Sequence, residues 1–124
     1  MANYRLQHIH HESADVDATV QFYEKNFNGV LKERVERGGV QWARVDVGGV
    51  LINVTDRATK QYDLDLYQGL DHFALQTSDF DETITNLKAN GVTFFSEPRS
   101  PRPGVQVAFI AGPDNIKIEI MQMS

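Results

Sequence analysis

Apolar and polar positions alternate along residues 4–12 and again along residues 70–77, the two-residue period of a half-buried strand. Each run then gives way to a helical period. Val16, Val20, Tyr23 and Phe27 recur on one face behind Asp15, and Phe80, Ile84 and Leu87 do the same behind Asp79. Asp15 and Asp79 are the expected helix caps. Asp79 with Glu82 has the spacing of a capping box, with Asp in place of Ser or Thr. Asn28-Gly29 and Asn90-Gly91 are the expected stops, because glycine accepts the left-handed conformation that ends a helix. Three short strands are expected after each helix, at about 30–37, 40–47 and 49–55, then at about 92–96, 105–110 and 115–121. Residues 57–68 are polar and unpatterned and read as a linker. Residues 97–104 hold Pro98, Pro101 and Pro103 and read as a loop.

The two halves repeat one another. Leu6-x-His8 and Asp15-x-Asp17-x-Thr19-Val20 return 64 positions later as Leu70-x-His72 and Asp79-x-Asp81-x-Thr83-Ile84. Gly39-Val40-Gln41-x-Ala43 returns after 65 positions as Gly104-Val105-Gln106-x-Ala108, and Ile52-Asn53-Val54 faces Ile118-Glu119-Ile120 after 66. A shift that drifts by only two residues over half the chain marks one module written twice. The expected fold is α+β: two tandem βαβββ modules forming a curved, cup-like mixed sheet with helices outside. They make one domain over residues 1–124, with module one at about 4–56, the linker at about 57–68 and module two at about 69–122.

Composition narrows the function. A net charge of −5 and the lack of any basic run speak against a nucleic-acid or anionic membrane surface. No apolar stretch approaches the ~20 residues that cross a bilayer, and residues 1–5 lack the apolar core of a signal peptide. A cytoplasmic location is the default expectation. The chain has no cysteine, so thiolate chemistry and disulfides are excluded.

Candidate chemistry follows from the repeat. Strand alternation puts His8, His10 and Glu12 on one face. His8 and His72 occupy matched positions, as do Asn53 and Glu119, so modules related by a pseudo-two-fold axis would bring all four to one point. Two imidazoles and a carboxylate suit one divalent first-row ion, Ni, Co, Mn, Fe or Zn, with positions left open for water or substrate. A lone histidine at the start of a strand is usually structural; the matched partner is what raises this set above that reading. One or both of His10 and His11 are expected to line the cup or touch solvent, with His10 the one that can act as a base. Trp42, Phe73 and Phe109 read as core. Lys117, of the same strand parity as Glu119, reads as a mouth or solvated residue, Glu12 as a mouth or surface charge, and Asp63 to Asp65 as solvated linker.

Leu6-x-His8, Phe22-Tyr23-Glu24, Gly69-Leu70-Asp71-His72 and Gly112-Pro113-Asp114-Asn115-x-Lys117-Ile118-Glu119 together resemble the vicinal oxygen chelate superfamily. That group spans glyoxalase I, methylmalonyl-CoA epimerase, extradiol dioxygenases, fosfomycin-resistance enzymes and bleomycin-binding proteins. The pattern is most similar to glyoxalase I and the epimerase. The resemblance implies that His8, His72 and Glu119 fall on three metal positions and Asn53 on the fourth, an amide as in the epimerase but one methylene shorter. Phe109 stands ten residues before Glu119, where extradiol dioxygenases and fosfomycin enzymes typically carry Tyr and bacterial glyoxalase I tends to carry Phe. Glu12 stands where glutathione-using members place Arg, a reversal of charge that disfavours glutathione.

The implied activity is that of a metal-dependent lyase or isomerase. It would abstract a proton next to a carbonyl of a small substrate with vicinal oxygens, with Glu119 as ligand and base and His10 as the alternative base. An Fe(II)-dependent dioxygenase and a metal-free, antibiotic-type binding protein are the alternatives. A homodimer is expected, because eight short strands leave an exposed edge in each module.

Overall fold

The computed structural model of the chain describes residues 1–124, which fall into two compact units, Met1–Lys60 and Gln61–Ser124. In the first unit β1 (His8–Glu12) leads into α1 (Val16–Phe27), followed by β2 (Val30–Arg37), β3 (Val40–Val47) and β4 (Val50–Thr55). The second repeats the order with β5 (Phe73–Gln76), α2 (Phe80–Ala89), β6 (Thr93–Arg102), β7 (Val105–Ala111) and β8 (Lys117–Met123). Each unit builds its own mixed four-stranded sheet, β1-β4-β3-β2 and β5-β8-β7-β6. The first strand of each is parallel to the last, and the remaining pairs are antiparallel.

The repeat holds down to the pairing register. Val45 faces Ile52 as Ile110 faces Ile118, and His10 faces Asn53 as Ala74 faces Glu119. Ser13 and Thr77 open the helices alike: each hydroxyl accepts from the cap residue's own N–H (Asp15 or Asp79, 3.1 Å) and meets the hydroxyl of Thr19 or Thr83 at 2.7 Å. Asp15 accepts from Ala18 N–H and Asp79 from Glu82 N–H, as expected of the caps. The reciprocal half of the capping box is taken by Thr77 rather than Glu82.

One face of each sheet packs on its helix. Val16, Val20 and Tyr23 lie with Ala43, Val45, Ile52 and Val54 in the first core, and Phe80, Ile84 and Leu87 with Ala108, Ile110, Ile118 and Ile120 in the second. Fully burying each of the Val, Ile, Leu and Phe side chains contributes roughly 1.5–3 kcal/mol. Phe27 is only half-buried, resting edge-on against Phe22, and Thr19 takes the fourth buried place on α1.

Several local expectations are corrected. Residues 4–7 and 70–72 lie outside the strands. In the parallel ladder His8 already faces Leu51, so the partner strand has run out just beyond. At the end of α1 it is Asn28, φ 56°, that turns left-handed. Gly29 is required for a different reason: a Cβ there would stand 2.8 Å from Val45 Cγ1 and 2.9 Å from the Tyr23 carbonyl. The proline-rich stretch is not a free loop. It continues β6, with only Ser96, Arg99 and Arg102 in register with β7 and Pro98 and Pro101 falling between them. Proline lacks the N–H that regular pairing needs, and such a broken ladder suits an outer strand.

Candidate functional site

The sheet face opposite each helix carries the candidate residues. In the first unit this face holds His8, His10 and Glu12 from β1 beside Asn53 and Thr55 from β4. His8 donates from Nδ1 to Gln7 Oε1 at 2.6 Å, which leaves Nε2 free to ligate. It faces Leu51 in the register, one step along the face from Asn53. Asn53 is buried, 8% exposed, and its Oδ1 has no hydrogen-bond partner. A buried carbonyl oxygen left unpaired costs about 1–3 kcal/mol.

Beside Asn53, Glu12 gathers a network. Its carboxylate accepts from the N–H groups of Arg57 (3.0 Å) and Ala58 (2.9 Å), the Thr55 hydroxyl and the Arg57 guanidinium (3.4 Å). Burial pushes the Glu12 carboxyl up, but the hydrogen bonds from Thr55, Ala58, His10 and Arg57 outweigh it and bring the pKa down to about 2. Glu12 is therefore a carboxylate at neutral pH, and His10 Nε2, 2.7 Å away, must be the donor. The lone pair of His10 is then on Nδ1. The His10 ring also meets Trp42 edge-on at 6.0 Å, and the guanidinium groups of Arg37 and Arg57 each stand 5.9 Å from the Trp42 ring centre. Of the two neighbouring histidines only His10 lines this face: His11 points to the helix side, is 1% exposed and bonds the Tyr23 hydroxyl at 2.9 Å.

In the second unit His72 and Glu119 come together. His72 Nε2 lies 3.0 Å from Glu119 Oε1, and Nδ1 lies 2.7 Å from Asp71 Oδ2. Bonds from His72 and Lys117 hold the Asp71 carboxyl below its ordinary range, so Asp71 accepts and Nδ1 carries the proton. Lys117, expected at the mouth or in solvent, is 8% exposed; its Nζ donates to Asp71 Oδ1 (2.9 Å) and to the Asp65 carbonyl (2.6 Å). The Phe109 ring meets His72 edge-on at 4.9 Å and carries no hydroxyl.

These donors suit a divalent ion. With the proton of a neutral His72 on Nδ1, its Nε2 and Glu119 Oε1 present lone pairs to one another, and a proton or a cation has to lie between them. Two donors each ~2.1 Å from one ion at about a right angle stand ~3 Å apart. The orphaned Asn53 Oδ1 is a further neutral donor of the type such ions accept. The structure gathers no group of three or more His, Asp or Glu side chains able to hold a metal. The first unit places His8 one step along the sheet face from Asn53, and the second brings His72 to Glu119. Gln7, Thr55, Asp71 and Lys117 went unremarked as supports of the site. The signal for two of them was present, since Gln7 and Asp71 immediately precede the matched histidines.

The family model described as Glyoxalase/Bleomycin resistance protein/Dioxygenase superfamily matches residues 5–120. The chain belongs to this superfamily. It is 29% identical to lactoylglutathione lyase GLX1 of Arabidopsis thaliana over 97% of its own length and 44% of that protein's. It is 30% identical to a probable lactoylglutathione lyase of Synechocystis sp., covering 96% of this chain and 95% of that one. The chain thus spans under half the length of the plant relative and nearly all of the cyanobacterial one. Among superfamily structures, a glyoxylase/bleomycin resistance protein/dioxygenase domain from Frankia sp. EAN1pec superposes with TM-score 0.82 at 19% identity, covering 99% of this chain and 100% of that one. Glyoxalase I from Zea mays gives 0.80 at 23% identity over 97% of this chain and 45% of that one. These superpositions establish the α+β fold.

Proposed function

We propose that the protein is a metal-dependent lyase or isomerase of the glyoxalase and epimerase type. Its substrate would be a small molecule with vicinal oxygens, and the reaction begins by moving a proton from the carbon next to a carbonyl. The observation that carries this reading is the 3.0 Å approach of His72 Nε2 to Glu119 Oε1 with Nδ1 already occupied by Asp71, so that on a neutral His72 two lone pairs face one point. Glu119 and His72, with His8 and Asn53, would hold one divalent ion, Ni, Co, Mn, Fe or Zn. When bound, the ion supplies Lewis acidity toward negative charge developing on substrate oxygen.

The chain's own residues handle the proton. His10 is held by an ionised carboxylate at Nε2 and keeps a lone pair on Nδ1, the arrangement of a base with an orienting partner. In that role the carbon–hydrogen bond breaks, the proton passes to His10 Nδ1, and Glu12 steadies the imidazolium. Glu119 is the alternative base. Phe109 beside His72 offers no phenol, which supports proton transfer over oxygen chemistry. Glu12 already holds two backbone N–H groups and a guanidinium, so it is committed to the fold and not open to a substrate. The reading carries with it a cytoplasmic homodimer.

The test is deuterium wash-in from heavy water, followed by NMR over a panel of 2-oxo and 2-hydroxycarbonyl compounds. Exchange that stops with chelator, returns with Ni²⁺ and falls at least ~100-fold in His10→Ala, the scale of general-base loss, is the expected result. Oxygen uptake with ring cleavage of a catechol, and no exchange, would overturn it.

A further inference from the structure

The two matched histidines are held by different chemistry. His8 rests on one neutral contact, Gln7 Oε1 at 2.6 Å. The position matched to Gln7 is Asp71, and the position matched to Leu51 is Lys117. Replacing an amide and an alkyl chain by a carboxylate and an ammonium turns a single contact into a lock. Asp71 offers one oxygen to His72 Nδ1 at 2.7 Å and the other to Lys117 Nζ at 2.9 Å. Holding both oxygens fixes the plane of the carboxylate as well as its position.

Lys117 could not serve this purpose if it swung freely. It is 8% exposed, and a second bond to the Asp65 carbonyl at 2.6 Å pins its end. A lysine so deeply buried is tolerated only with its charge matched, and Asp71 supplies the match. Lys117 also lies two residues before Glu119 on β8, on the same face of the strand. The strand that supplies Glu119 therefore supplies the group that aims His72 at it. Phe109, facing Glu119 in the register, closes the side of the imidazole.

We propose that Asp71, locked by Lys117, is a positioning residue. It dictates that His72 carries its proton on Nδ1 and presents Nε2 toward Glu119, so His72 is preset while His8 remains adjustable. This rests on the metal reading for its consequence, but not for the geometry. An imidazole can rotate about its broad χ2 and can bear its proton on either nitrogen. Fixing both in advance removes a cost that binding would otherwise meet, and loss of such a supporting group typically lowers metal affinity 10–100-fold.

The experiment compares wild type with Asp71→Asn, Asp71→Glu and Gln7→Ala in the full chain. Ni²⁺ affinity is measured by titration calorimetry. In the metal-free protein, proton NMR at low temperature follows the ring N–H of His72, assigned by its disappearance in His72→Gln. Asp71→Asn is expected to lower Ni²⁺ affinity ~10–100-fold and to erase the N–H signal; it also leaves the Lys117 ammonium without its charge partner, so the unfolding midpoint should fall, and both readings are taken well below it. Asp71→Glu should restore part of both, and Gln7→Ala should cost less than Asp71→Asn. Asp71→Asn with affinity within about threefold of wild type and the N–H signal retained would overturn the proposal. If wild type binds no Ni²⁺ at all, the metal reading fails, while the N–H signal still decides the role of Asp71.

Discussion

His72 Nε2 stands 3.0 Å from Glu119 Oε1, at the end of a line of contacts that runs back through Asp71 to the buried amine of Lys117. An imidazole and a carboxylate fixed at that separation call for a positive species between them. Purified protein is therefore expected to take up about one Ni²⁺ per chain. His72→Ala and Glu119→Ala should each weaken binding by at least ~100-fold, the scale set by losing a direct ligand where a supporting group costs 10–100-fold. His8→Ala should do the same. Calorimetry, with metal content checked by elemental analysis, reads all three; full affinity in any one of them removes that residue from the site.

Asn53 should show function set against stability. Its Oδ1 is buried without a partner, so Asn53→Leu, of similar volume, is expected to stabilise the metal-free protein by ~1 kcal/mol. The same change should weaken Ni²⁺ binding by about tenfold, less than loss of either histidine, because an amide oxygen carries no net charge. Urea unfolding of the metal-free variants provides the comparison. A loss of stability in Asn53→Leu would mean that the oxygen is not an orphan.

Glu12 sets an acid limit on the first unit. Its pKa falls from an ordinary 4.5 to about 2 in the fold. A depressed carboxyl stabilises the folded state fully above pH 4.5 and loses that contribution as pH drops through about 2. Glu12→Gln should therefore be less stable than wild type by about 1.5–3 kcal/mol at pH 7, the range for hydrogen bonds to a charged group. The gap should narrow steadily below pH 4.5. A gap independent of pH, from urea curves taken at several pH values, would count against this account.

A homodimer is expected at micromolar concentration. Leu66 and Leu70 are 81% and 88% exposed, and Tyr67 lies near them in sequence at 59%. Large apolar side chains so clustered in sequence mark contact surfaces. Sedimentation velocity should give about twice the 14.0 kDa chain mass, and Leu66→Asp with Leu70→Asp should shift it to the monomer. A wild-type monomer would contradict the expectation.

Much of the fold was legible because the chain states it twice. Matching His8 with His72, and Asn53 with Glu119, needs only identities at nearly constant spacing, and the pairing register honours that match. Helix faces and caps were legible because their periods and capping residues act locally. What stayed hidden depends on distance in space. Strand starts were placed too early, since where β1 begins is decided by where β4 begins. Glu12 read as a surface charge, because its partners Arg57 and Ala58 lie about 45 residues away in what reads as a linker. Lys117 read as solvated for the same reason, since nothing local to β8 announces the Asp65 carbonyl.

The interrupted pairing of β6 has a consequence for how copies of the protein meet. An outermost strand with its backbone groups open is a template on which further strands can stack without limit. Pro98 and Pro101 each remove a donor from that template, and the uneven register between Ser96 and Arg102 deprives a newcomer of a regular ladder to follow. The second sheet is thereby shielded along this border from open-ended fibre growth. Self-association at this border would have to proceed through side-chain surfaces, where it can stop at a defined number.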